Sequence, residues 1–213
     1  MTRYTLTYFP LYGRAELIRM IFKLEGVEFE DEHISPEEWV ARKGDTPFDQ
    51  LHILTINEKE QIAQTGAILR YVSKIFGFAG KDPFEEAEVD SFASQIAESF
   101  DEFKPFMYTA VGRIPGDLEK LFMFTVLPLR EKYIVELAKW LRRSRSGFVV
   151  GSSVTFADIL LAVLVANFQA CLGPARSILF FGQDKYLFDA HLRKIHSLPA
   201  IRKHLETRFS SPY

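Results

Sequence analysis

Hydrophobic and polar positions change rhythm once along this chain. Arg3 to Phe9 alternates polar and apolar residues, which predicts a strand. Arg14 to Leu24 carries Leu17, Ile18, Ile21 and Phe22 at helical spacing and stops at Gly26, a natural helix terminator. Val27 to Ile34 reads as a second strand. Ser35-Pro36-Glu37-Glu38 follows, with an N-cap serine, a proline at the first helical position and two acids in the first turn. A short helix runs on to about Lys43. FDQLHILTIN, residues 48–57, reads as a strand, and Asn57 to Glu60 as a turn into another. After Gln64 and Thr65 comes a helix bearing Ile68, Leu69, Val72 and Ile75. The order β-α-β-α-β-β-α makes a small α/β unit over residues 1–76.

Residues 77–83 form a linker with two glycines and a proline. From 84 to 213 the pattern is almost wholly helical. Val89, Phe92, Ile96, Phe100 and Phe103 form one apolar stripe, and Leu118 through Leu141 a second. Pro128 sits inside that second stripe and is expected to kink its helix. Thr155-Phe156-Ala157-Asp158 has the form of a capping box with Asp in place of Glu. The run behind it, ILLAVLVANFQA, is apolar on every face, as the buried centre of a helical domain requires.

Composition narrows the function classes. The net charge of −2, without a long basic run, argues against a nucleic-acid partner. A sole cysteine, Cys171, excludes an intrachain disulfide and a Cys-based metal cluster, and suits a reducing, cytoplasmic setting. No charge-free apolar run reaches ~18 residues, so no membrane span is expected. The N-terminus lacks the apolar core of a signal peptide. His33, His52, His191, His196 and His204 have no metal-ligand spacing. There is no CxxC after the first strand, no GxGxxG and no P-loop.

Two places retain chemical interest. In LTYFPLYGRAELIR, Tyr8 ends a strand, Pro10 and Gly13 shape a loop, and Arg14 opens a helix. Strand-to-helix junctions of this kind bind anions in α/β units. Gln64-Thr65-Gly66 opens a helix likewise, and its free amides and the Thr65 hydroxyl suit a carboxylate. On composition alone, Tyr8 reads as a structural strand tyrosine, although a hydroxyl at such a junction could also donate a hydrogen bond to an anion.

LTYFPLYGRAELIR, Trp39 with Lys43, QLHIL, AQTGAILRYV, FGFAGKDPFEEAEVD, SGFVVGSSVTFAD and the terminal IRKHLETRFSSPY together resemble the cytosolic glutathione transferases, of the sigma-like type of nematodes. The resemblance spans essentially the whole chain. It implies a thioredoxin-like N-terminal domain that holds glutathione, an all-α C-terminal domain, and an electrophile bound between them. Tyr8 falls on the family's catalytic tyrosine, whose hydroxyl donates to the glutathione sulfur, and Arg14 would orient it. Trp39 and Lys43 would contact the glycine end of glutathione. Leu51, beside Gln50, would pair with the cysteinyl part, and Gln64 and Thr65 would hold the γ-glutamyl end. Glu98 stands where relatives reach the γ-glutamyl ammonium from the neighbouring subunit of a homodimer. Leu11, Phe100 and Tyr108 are implied in the electrophile pocket. Glutathione enters as co-substrate, with no permanent cofactor and no metal.

His52 departs from that pattern, because the family has a cis proline there. A non-proline cis bond costs about 2.5–4 kcal/mol. Either the surrounding fold keeps the Leu51–His52 bond cis and bears that cost, or the bond goes trans, shifts Leu51 and weakens glutathione binding; energetics alone favour trans. The hairpin at Asn57 to Glu60 is also one residue longer than usual. Two alternatives to conjugation stay open: a glutathione-dependent isomerase or peroxidase of the prostaglandin D synthase kind, and a weakly catalytic carrier of haem or other apolar ligands.

Overall fold

The computed structural model describes residues 2–211, which form two compact units. One holds the described residues up to Phe78 together with those from Leu198 on; the other is Ala79–Ser197.

The first unit is built on a four-stranded mixed sheet. Its elements are β1 (Tyr4–Tyr8), α1 (Ala15–Glu25), β2 (Glu30–His33), α2 (Pro36–Arg42), β3 (Ile53–Ile56), β4 (Glu60–Ala63) and α3 (Thr65–Phe76). The strand order is β2-β1-β3-β4, with β1 parallel to β2 and antiparallel to β3. This is the predicted sequence of elements, with trimmed ends: β2 begins at Glu30 rather than Val27. The α1 helix ends at Gly26, φ 73, whose left-handed backbone closes its last turn. The Ser35–Glu38 capping box opens α2 as predicted. In the β3–β4 hairpin, Asn57 (φ 51) and Glu58 (φ 60) both take the positive φ that a tight turn of matching twist needs. Leu6, Ile18, Phe22, Leu54, Ile68 and Val72 fill the core, and α1 packs on α3.

The second unit contains α4 (Pro83–Ala110), a helical run over 118–143 taken here as α5, α6 (Phe156–Phe181) and α7 (Lys185–His196). Pro128 lies inside α5. The run absorbs it in two π-helical turns, Phe122–Val126 and Arg130–Ile134, which widen the helix on both sides of the proline. The expected capping box at α6 is present, with Thr155 and Asp158 reciprocally bonded. The apolar α6 runs through the middle of a phenylalanine cluster, where the Phe103 and Phe168 ring centroids lie 3.8 Å apart. By length and composition alone one helical stretch, within Phe156–His196, is apolar enough to cross a membrane, and 56% of that window is buried.

The last helix, α8 (Pro199–Thr207), follows the helical domain in sequence but belongs to the first unit, where it packs on α1. The sequence reading carried the helical domain through to 213. The described residues from Leu198 instead find buried charge partners in α1: Glu16 Oε1 lies 2.9 Å from His204 Nε2 and accepts a 2.6 Å bond from Arg208. Burial alone would raise the Glu16 carboxyl, but those two partners outweigh it and hold the group below the usual carboxylate range.

Candidate functional site

Strand register assembles the site. Thr7 pairs with Ile53, and Ile53 with Ala63. One step further along each strand, Tyr8, His52 and Gln64 stand side by side at one end of the sheet. Tyr8 is half-buried, its ring 5.6 Å from that of His52 and edge-on to it at 81°. Gln64 donates its side-chain amide to the Gln50 side-chain oxygen at 2.8 Å. The fold thus brings Tyr8, Gln50, Leu51, Gln64 and Thr65 to one end of the sheet.

Helix starts mark the same corner. Side chains cap α2 and α4, through Ser35 and Asp82. Among the described residues no side chain caps α1, which starts after Arg14, or α3, which starts at Thr65. Their first-turn amides and positive dipole ends suit an anion. Gln64 itself holds φ 74, ψ 122, a conformation that costs an L residue about 1–3 kcal/mol and clusters at ligand sites. No feature of the sequence announced it.

The Leu51–His52 peptide is cis. This corrects the expectation of a trans bond, on which the shift of Leu51 depended. That expectation weighed only the bond's own preference. The packed structure adds the His52 ring, 2% exposed and set against Tyr8, and the pairing of β3 on both edges. Neither imidazole nitrogen of His52 has a hydrogen-bond partner among the described residues. Burial, and then the cations Arg14 and Arg19, push the imidazole down to about 3. The native ring is therefore neutral at all ordinary pH, while the unfolded chain's histidine protonates below about 6.5. A lowered native value favours the fold above that pH, and the benefit is lost as pH falls from about 6.5 towards 3, by up to ~1.4 kcal/mol per unit. Denaturant unfolding should show His52→Leu with a flatter loss of stability over that window. Parallel acid profiles for the two proteins would contradict the burial argument.

Gly13 controls the space around the Tyr8 hydroxyl. Its φ is +43, and a Cβ placed there would lie 2.8 Å from Tyr8 Oη. The loop backbone therefore lies directly against the phenol, a constraint that the sequence showed only as a turn glycine.

The remaining expected residues stand on other elements. Trp39 is half-buried on α2, and Lys43 is exposed just beyond it; neither side chain forms a hydrogen bond or ion pair with the described residues. Leu11 lies in the loop after β1, where its carbonyl accepts from Arg19 at 3.0 Å. Glu98, Phe100 and Tyr108 all belong to α4 of the second unit: Glu98 is exposed, and the Tyr108 ring faces Lys104 and Arg113 at 5.5 and 5.4 Å.

Comparison with known proteins bears on the whole chain. A family model described as the glutathione S-transferase C-terminal domain matches residues 118–208. Probable glutathione S-transferase 7 of Caenorhabditis elegans is 39% identical over 213 residues, all of both chains. A crystal structure described as a monomeric glutathione S-transferase of the hookworm Necator americanus is 43% identical, covers 99% of this chain and all of its own, and superposes with a TM-score of 0.90. A Nu-class enzyme from Haemonchus contortus is 36% identical over the full length of both chains, with a TM-score of 0.87. With full-length identity of this order and the same two-part architecture, the chain belongs to the glutathione S-transferase family.

Proposed function

We propose that this glutathione transferase conjugates the glutathione thiolate to small hydrophobic electrophiles, with Tyr8 as hydrogen-bond donor to the sulfur. The observation that carries the reading is the alignment of Tyr8, His52 and Gln64 at one end of the sheet, beside two helix starts without side-chain caps. Gln64, Thr65 and the α3 amides would receive the γ-glutamyl carboxylate, with Gln50 orienting Gln64. Leu51 would present its backbone to the cysteinyl part. Trp39 and the uncommitted ammonium of Lys43 would take the glycine end, and Arg14 would bear on the thiolate field. Leu11, Phe100 and Tyr108 would contact the electrophile. Detoxification in the cytoplasm and a sigma-like class belong to the same reading, the Nu label being that of the Haemonchus relative.

Calorimetric titration with glutathione tests the ligand site. Gln64→Ala should bind about 10-fold more weakly, the loss of one hydrogen bond to a charged group. Unchanged affinity would remove Gln64 from the site.

A homodimer is part of the proposal. Phe48 stands 73% exposed at φ 59, and Glu98 is exposed in its own unit, as groups that meet a partner would be. Sedimentation at micromolar concentration should give a dimer. A stable monomer, the state named for the Necator relative, would take Glu98 out of the glutathione site.

A further inference from the structure

The loop that carries Gly13 is gripped from several sides within the first unit. Arg19, 1% exposed, donates through Nη1 to the carbonyls of Leu11 (3.0 Å) and Tyr12 (3.2 Å), while its Nε holds Asp31 at 2.9 Å. The other grips come from residues 204–211. The Tyr12 hydroxyl donates to the Phe209 carbonyl at 2.6 Å, and the Tyr12 amide to Ser211 Oγ at 3.3 Å. The Arg208 guanidinium lies 3.8 Å from the centre of the Tyr12 ring. Its Nη1 bonds Glu16 at 2.6 Å, so the cation is held between α1 and the loop. The Phe209 ring is seated among Tyr12 (5.3 Å), His33 (4.6 Å) and the Arg19 guanidinium (5.3 Å).

Tyr12 is thus anchored through its amide, its ring and its hydroxyl by a segment nearly two hundred residues away in sequence. The next residue is Gly13, whose Cα lies against the Tyr8 phenol. We propose that the segment from His204 to Ser211 is a strap that positions the Tyr8 hydroxyl through Tyr12 and Gly13, with Arg208 and Phe209 as positioning residues. The proposal rests on the reading of Tyr8 as donor to the glutathione sulfur.

A surface loop after a strand is by default mobile. A hydrogen bond to sulfur needs a fixed donor, and a misplacement of about 1 Å costs on the order of 100-fold in rate. The buried pairs on Glu16 supply the fixed base from which the strap acts: His204 and Arg208 anchor α8 to α1, and Phe209 carries that anchoring to the loop.

The test uses the full chain and two readouts, the pH midpoint of thiolate ultraviolet absorbance of bound glutathione and the split between kcat and KM. Phe209→Ala and Tyr12→Phe should each raise the thiol midpoint towards that of free glutathione and lower kcat about 5- to 10-fold, with KM for glutathione within about 3-fold. Arg208→Lys should keep most of the kcat that Arg208→Ala loses. On a Tyr8→Phe background, adding Phe209→Ala should change neither readout, because the strap acts through the missing hydroxyl. Should Phe209→Ala fail to fold, Tyr12→Phe, which deletes only one hydroxyl, decides. A strap that merely held the fold together would lower thermal stability and leave the midpoint unmoved, and that result overturns the proposal. Tyr8→Phe with its expected effect but Tyr12→Phe and Phe209→Ala with none overturns the strap alone. Tyr8→Phe without effect overturns the reading of Tyr8, and the strap with it.

Discussion

Tyr8→Phe should lower kcat about 100-fold while glutathione affinity stays within about 3-fold. The free thiol of glutathione has a pKa near 8.5, so only a few per cent is thiolate at neutral pH. Making thiolate the dominant form requires a shift of about 2 units, or ~2.7 kcal/mol of preferential stabilisation of the anion. A hydrogen bond to a charged group contributes about 1.5–3 kcal/mol, so a single phenol, aided by a helix start, is enough. Tyr8 ends β1, half-buried, and α1, the next helix, starts without a side-chain cap. Removing one oxygen leaves the ring and its contact with His52 in place. In the proposed site affinity would reside elsewhere, in Gln64, Thr65 and Lys43, which is why the two constants should separate. Turnover within about 2-fold of wild type would remove Tyr8 from the chemistry.

The largest effect on stability is expected from Asp158→Ala, a loss of about 3–5 kcal/mol in denaturant unfolding. Asp158 is fully buried at the start of α6. Its carboxylate accepts from the Val149 amide (2.7 Å), the Thr155 amide (2.8 Å) and the Thr155 hydroxyl (2.9 Å), and lies 3.0 Å from His191 Nε2. One side chain therefore caps α6, holds the loop before it and ties α7 to both. Alanine strands several buried donors at once, each worth about 1–3 kcal/mol when left without a partner, and the losses overlap because they share one network. Asp158→Asn keeps the shape and one acceptor and should cost about half as much. A loss below about 1 kcal/mol for the alanine variant would mean that water replaces the carboxylate freely.

Local rules made much of the fold legible. The Ser35 and Thr155 capping boxes, the glycine stop at Gly26 and the β-α-β-α-β-β-α order depend on short-range geometry, and each is present. What escaped the sequence depends on distant partners. Pro128 predicts an irregular helix, but not that two π-helical turns flank it. The α8 helix carries an ordinary amphipathic pattern, and only the buried Glu16 shows why it joins the first unit. At the site, Tyr8 and Gln64 stood out through resemblance, whereas the register that aligns them with His52 is a property of the folded sheet. The Leu51–His52 bond was read from the preference of an isolated peptide, and the packed ring of His52 is a tertiary fact. Gly13 was visible as a turn residue, while its contact with the Tyr8 hydroxyl was not.

The central claim is that the Tyr8 hydroxyl converts bound glutathione to its thiolate. Titration of the thiolate ultraviolet absorbance of enzyme-bound glutathione reads this without any electrophile. The midpoint should lie about 2 pH units below that of the free thiol in the native protein and return to near 8.5 in Tyr8→Phe. Equal midpoints in the two proteins, with glutathione bound in both, would contradict it.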